Sequence, residues 1–183
     1  MLRTTRALEL GIHPETLYRL RDSGELVQVS RGLYRLADLP PLSQPDLVAV
    51  ATRIPSGVLC LISALSFHGI TTEIPHEVQI AVPTGASRRR IAFPPVRIFR
   101  FGGAAFEQGV ETHEIEGATV KVYGPEKTVA DCFRFRSKVG LAVAVEALRL
   151  CRERRHSTPR TLLEFARIDR VERVMMPYLE AVQ

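Results

Sequence analysis

The spacing of apolar residues divides the first 36 positions into short elements. Thr5 to Leu10 predicts a short helix with Thr5 as its N-cap, broken by Gly11. His13-Pro14-Glu15-Thr16 opens a second helix, because proline suits the first helical position and a carboxylate suits the positive end of the helix dipole. That helix runs to Ser23, with Gly24 as a left-handed cap. Ile12, Leu17 and Leu20 mark its buried side, and Glu15, Thr16, Tyr18, Arg19 and Asp22 lie on the other. Leu26 to Val29 and Leu33 to Leu36 read as two strands around Ser30-Arg31-Gly32, a tight turn.

The pattern then changes character. Residues 38–45 are rich in proline and form the best boundary between a unit at 1–37 and a second at 46–183. Asp46 to Ile54 predicts a helix with Leu47, Val48, Ala51 and Ile54 on one side, and Leu61 to Phe67 another, stopped by Gly69. Val78, Ile80 and Val82 alternate as in a strand, Val96 to Phe101 less cleanly, and Glu116-Gly117 joins Val110–Ile115 to Ala118–Tyr123 as a hairpin. Helices follow from Pro125 to Phe135, from Leu141 to Arg154 and from Thr158 onward. Asp169 is a candidate cap for a last segment that Pro177 would kink or split.

The expected fold class is α+β. A truncated N-terminal winged helix-turn-helix precedes a unit with several helices and a small, mainly antiparallel sheet. Helix, glycine turn, helix and hairpin is the order of a winged helix, whose second helix fits a major groove while the hairpin tip touches backbone. A full winged helix normally has a further helix before the first one here, and this chain begins too late to supply it. Tyr18 and Arg19 are the expected groove contacts, since arginine can bind guanine O6 and N7 together. His13 and Thr16 at the helix start suit phosphate contact or capping, Arg31 sits at the hairpin tip, and Arg35 faces out while Tyr34 packs inward.

Charge adds a second expectation. The chain carries a net charge of +5, and 22 of its 25 basic residues are arginine. That bias fits phosphate recognition by the planar guanidinium fork, and equally the codon usage of a GC-rich genome. Residues 84–101 hold Arg88, Arg89, Arg90, Arg97 and Arg100 with no acid, and residues 134–160, which include Arg134, Arg136 and Lys138, are strongly basic. Much of any attraction to DNA is therefore expected from the second unit, with Arg88, Arg89, Arg90, Arg134, Arg136 and Lys138 as an auxiliary basic surface, although Arg88, Arg89 and Arg90 also fit an ordinary solvated loop, and for Arg134, Arg136 and Lys138, which close a helix, a structural role at the negative end of its dipole is the stronger reading.

Catalytic chemistry finds little support. Cys60, Cys132 and Cys151 show no metal spacing, and their small odd number fits a reducing cytoplasm. The histidines are scattered, Ser63 lacks a nucleophile elbow, and Lys127 has no close acidic companion at a nuclease spacing. His68 reads as a helix-end or core histidine and Asp131 as a hydrogen-bonded structural residue. No enzyme activity, cofactor, metal or membrane span is expected.

Three segments carry a family resemblance. His13-Pro14-Glu15-Thr16-Leu17-Tyr18-Arg19-Leu20, with Gly24-Glu25-Leu26 and Ser30-Arg31-Gly32-Leu33-Tyr34-Arg35, resembles the winged helix of AbiEi-type antitoxins. Ser63-Ala64-Leu65 with His68-Gly69 is similar to that family's "SAL-x-x-HG" helix. Glu126-Lys127-Thr128 with Asp131 is similar to its "ERT-x-x-D" helix, with Lys127 where arginine is usual. The resemblance implies an antitoxin of a type IV toxin–antitoxin system. Its winged helix would bind an inverted-repeat operator in double-stranded DNA at its own promoter and repress transcription. It would counter an AbiEii-like nucleotidyltransferase toxin without needing a tight complex with it. The C-terminal part would carry the antitoxin activity and assist DNA binding. Family members also occur as stand-alone regulators, so the alternative expectation is such a regulator, or a protein- or RNA-binding module of the same fold, without a toxin partner.

Overall fold

The computed structural model describes residues 1–87, 91 and 93–182. The first sheet is built by β1 (Leu2–Arg3), β2 (Leu26–Ser30) and β3 (Leu33–Leu36) in the order β1-β3-β2, with both pairings antiparallel. Packed on it are α1 (Thr4–Glu9) and α2 (Pro14–Asp22). Sequence reasoning missed β1, because two residues carry no period. It exists because Leu2 pairs with Tyr34 and Arg3 with Leu33, and because the Thr4 amide donates to the Gly32 carbonyl at 3.0 Å. This pairing moves the start of α1. Arg3, not Thr5, occupies the N-cap, and no side chain caps the helix. Ala7, Leu17, Leu26 and Tyr34 form a small core of their own, edged by Leu2, Ile12 and Leu20.

The remaining elements are α3 (Pro45–Arg53), β4 (Val58–Leu59), α4 (Leu61–His68), β5 (Val78–Pro83), β6 (Val96–Phe101), α5 (Ala104–Glu107), β7 (Val110–Ile115) and β8 (Ala118–Tyr123). After them come α6 (Pro125–Arg134), α7 (Arg136–Val139), α8 (Leu141–Arg155), α9 (Pro159–Ile168) and α10 (Glu172–Ala181). The second sheet has the order β6-β5-β4-β8-β7. It is mixed rather than mainly antiparallel: β5 with β6 and β4 with β8 are parallel, β4 with β5 and β7 with β8 antiparallel. Parallel neighbours need a longer return connection than a tight turn, and β5 ends at Pro83 while β6 begins at Val96.

Alternation along the strands sorts the core into two layers. Leu59, Ile80, Val82, Val120 and Val122 face Val50 of α3 and Ile54 at its C-terminal cap. Val58, Ala81, Phe99, Phe101 and Tyr123 face the other way, onto α4, α6, α8, α9 and α10. This explains the imperfect pattern of β6, in which Ile98 serves one layer while Phe99 and Phe101 serve the other. A strand covered on both faces does not alternate cleanly.

A charged cluster lies inside the helical layer. The Lys127 ammonium of α6 is fully buried; it donates to Asp131, one turn on, and to Asp169 at 3.1 Å. Arg134 reaches the same Asp169 carboxylate at 3.2 Å, its guanidinium lying over the rings of Phe101 and Phe135. Burial pushes the Asp131 carboxyl well up, the nearby Asp169 adds to this, and the ammonium against it opposes both. Lys127 thus has two acidic companions, one of them 42 residues away. Asp169 caps no following helix: it ends α9 and turns inward, while α10 begins behind Val171 and continues past Pro177. The backbone at Gly109 passes against α6 so closely that a Cβ there would meet the Lys127 Cβ at 2.8 Å, and its φ of +75° also favours glycine.

His68 ends α4 and is buried, its Nε2 2.8 Å from the Tyr123 carbonyl oxygen. A contact at this distance needs Nε2–H as the donor. Burial lowers the pKa of the ring below its ordinary value of 6.5. Between the two values the unfolded chain binds more protons, so stability rises with pH there. The contribution of His68 is fully present above about pH 6.5 and declines as the pH falls below it. Urea unfolding at about pH 7.5 and pH 5 should show a smaller acid loss in His68→Gln than in the parent. An equal loss in both would place the titration elsewhere.

Candidate nucleic-acid interface

Local sequence builds α2 as expected. His13 takes an extended conformation at the N-cap, and its Nδ1 accepts from the Glu15 amide at 3.4 Å. At the other end the Gly24 amide donates to Arg21 and the Glu25 amide to Leu20, at 3.0 and 2.9 Å. These are the two reversed bonds of a Schellman close, which the Gly24 φ of +82° permits. Leu17 is buried, so the helix is anchored on one side. Burying a leucine fully stabilises by about 1.5–3 kcal/mol.

The opposite face is left to solvent. Tyr18 is 45% exposed, and the Arg21 guanidinium lies 5.4 Å from its ring centre while pairing with Asp22 at 2.7 Å. Arg19 is exposed and makes no ion pair among the described residues. Thr16 is half-buried at the helix start, and its amide donates to the His13 carbonyl at 3.0 Å. Arg31 is exposed at the hairpin turn. Tyr34 packs in the small core, as its position in the strand implied. Arg35 pairs across the strands with exposed Val27 and donates to the Pro40 carbonyl at 2.6 Å, so it is tied to the proline-rich segment.

In the basic stretch of residues 134–160 most of the arginines have partners within the fold. Arg134 is engaged with Asp169, Arg136 with the Phe133 carbonyl at 2.9 Å, and Arg149 with Glu153 at 2.8 Å. Arg154 and Arg155 donate to the carbonyls of Gly69 and His68, closing the C-terminal end of α4. Cations there meet the negative end of the helix dipole. Lys138 is exposed. Arg100 donates to the carbonyls of Thr84 and Ala86, and Arg97 pairs with Glu77 at 3.4 Å. Arg88, Arg89 and Arg90 lie outside the described residues. Position, rather than composition, thus assigns much of the arginine content to holding helix ends and loops.

Sequence reasoning missed Arg3 and Arg53. Arg53, at the end of α3, donates to the Arg31 carbonyl, 22 positions earlier in the chain. No local pattern signals a contact at that separation. Arg3, Thr4, Thr5, Arg31 and Arg53 together line a cleft of about 260 Å³. A larger cavity, about 450 Å³, lies between α3, α4 and the start of β5, with Asp46, Ser66, His76 and Glu77 among its walls.

Among the described residues, no group of three or more His, Cys, Asp and Glu side chains is placed to hold a metal, and no helix is long and apolar enough to cross a membrane. Burial raises the thiols of Cys60 and Cys132, and that of Cys151 to about 11.

The chain is similar in fold to the crystal structure of the RV2827C protein from Mycobacterium tuberculosis, with a TM-score of 0.53 at 17% identity over 98% of this chain and 74% of that one. No curated protein matches it in sequence. Residues 1–37, which hold α1, α2 and the hairpin, match the family model described as a transcriptional regulator, AbiEi antitoxin.

Proposed function

We propose that this chain is a DNA-binding antitoxin that represses its own promoter and counteracts a nucleotidyltransferase toxin. The observation that carries the reading is the exposed face of α2 beside a wing, inside the segment that matches the regulator family. In this reading α2 enters a major groove, Arg19 and Tyr18 meet base edges, and Arg31 at the wing tip meets the backbone. His13 caps the helix and presents its N-terminal end, with Thr16, toward a phosphate. An inverted-repeat operator would take two copies of the chain, one per half-site.

A second reading, a stand-alone regulator without a toxin, is favoured by one observation. The family match ends at residue 37, while the resemblance places antitoxin activity in the part beyond it.

Titration of the duplex upstream of its own coding sequence, alongside random duplex over a range of salt, tests the DNA reading. Tighter binding to the upstream duplex with a steep salt slope is expected. Equal binding to both duplexes would sink the promoter reading. Co-expression with the product of an adjacent nucleotidyltransferase gene separates the two readings: rescue of growth supports the antitoxin, and no rescue with intact repression supports the stand-alone regulator.

A further inference from the structure

We infer that the cavity between α3, α4 and the start of β5 binds a small organic cation: an amine, amidine or guanidine carried on a flat apolar body. At about 450 Å³ it falls within the roughly 300–1,000 Å³ usual for small-molecule sites. Leu47, Leu59, Phe67 and Val78 give it an apolar lining, and three prolines add rigid surface. Its walls are pinned by hydrogen bonds that need no ligand. The Ser63 hydroxyl of α4 donates to the Glu77 carbonyl at 3.2 Å and accepts from the Gln79 amide at 2.9 Å. The Gln79 side chain in turn accepts from the Ile62 amide at 2.9 Å. Phe67 is held edge-on by the rings of His68 and His113, 5.2 and 5.0 Å away.

The charge of the walls selects the ligand. Asp46 and Glu77 line the cavity, and among the described residues no lysine or arginine does. Asp46, in the first turn of α3, makes no ion pair among the described residues. Glu77 meets Arg97 at 3.4 Å, a long contact between partly exposed side chains, and Arg97 also lies over the ring of Phe99. A pair of that kind is weak and leaves Glu77 able to accept from a ligand. The amino end of α3 adds only about half a positive charge, less than the two carboxylates together. Pro45 at its first position also removes one of the N–H groups that would hold an anion. An anion is therefore opposed and a cation favoured, in a chain whose net charge is +5. The ring of Phe67 acts in the same direction, because an aromatic face attracts a cation. The site stands apart from α2 and does not depend on the DNA reading. α3 lines it with its first turn and, through Arg53 in its last, holds the Arg31 carbonyl, so a bound cation sits one short helix from the wing turn.

Benzamidine and phenethylamine serve as probes, with benzoate and benzyl alcohol as matched rings that lack a cation. Titration of the isotope-labelled chain should give saturable amide NMR shifts at Leu47, Phe67 and Val78 with both cations. Benzoate and benzyl alcohol should bind at least about tenfold more weakly. Asp46→Asn should weaken the cations by about five- to tenfold and leave benzyl alcohol unchanged. Ser66→Trp, at an exposed position of α4, should fill the cavity and abolish binding. Each variant is checked for an unchanged melting curve, and Glu77→Gln gives the same test from the other wall if Asp46→Asn disturbs α3. No saturable shift with either cation at millimolar concentration would overturn the site. Equally tight benzoate or benzyl alcohol would reduce it to an apolar cavity and overturn the cation assignment, as would unchanged cation binding in both Asp46→Asn and Glu77→Gln. Tighter binding of N-acetyl-arginine amide, which mimics a protein side chain, would give the cavity to a partner protein and overturn the small-molecule assignment.

Discussion

Lys127→Met is expected to cost about 3–5 kcal/mol of folding stability, the usual penalty for breaking a buried ion pair by removing one partner. The ammonium is fully buried between two carboxylates that are buried as well. Without it, among the described residues, Asp131 keeps no cation and Asp169 keeps only Arg134. The rings of Phe101 and Tyr123, 5.2 and 4.9 Å from the ammonium, lose a cation they now face. The companion variant decides the cause. Lys127→Met with Asp131→Leu removes one charge of each sign and leaves the Arg134–Asp169 pair, and such paired replacements are often neutral or stabilising. The double variant should therefore recover most of the loss in urea unfolding. A single variant costing less than about 1 kcal/mol would show that water or relaxation already shields the cluster.

Arg19→Ala should weaken promoter binding by about 1–3 kcal/mol while leaving random duplex nearly unchanged, if Arg19 reads a base. Arg19 stands on the exposed face of a helix whose other side is fixed by Leu17, so the change reaches no core contact. It makes no ion pair among the described residues, so no carboxylate is stranded by its loss. The contrast with Arg21 sharpens the test. Arg21 pairs with Asp22 and rests over Tyr18, so its removal frees an acid next to the groove face and disturbs both duplexes alike. An equal loss on both duplexes for Arg19→Ala would make it a backbone contact.

The parts of the molecule that could be read from sequence are those fixed within a few residues. Pro14 at the first turn, His13 before it and Gly24 after it delimit α2 through local capping, and the structure keeps both ends. The hairpins around Gly32 and Gly117 follow from turn chemistry in the same way. What escaped depends on distant partners. β1 and β4 are two residues each and exist only because a neighbouring strand completes them. The parallel pairing of β5 with β6 leaves no mark on either strand alone. Asp131 stands one turn from Lys127 in the sequence, but Asp169, 42 residues away, joins them only through the fold. The same holds at the candidate interface. Arg19 and Tyr18 are visible as one face of a helix, whereas Arg53 reaches the wing only through the placement of α3.

The proline-rich segment after the wing has a mechanical consequence. Arg35 holds the Pro40 carbonyl, the Ser43 amide donates to Glu116 at the tip of the β7–β8 hairpin, and Arg53 holds the wing turn from the far side. A slack tether would let α2 sample orientations and would enter binding only through an effective concentration. Two bonds hold the segment itself and a third ties the wing turn to α3, so the wing is joined to the larger unit by more than its chain connection. The angle at which α2 is presented then belongs to the larger sheet as much as to the wing. If α2 docks on a half-site, the larger unit would be carried at the angle these three bonds set.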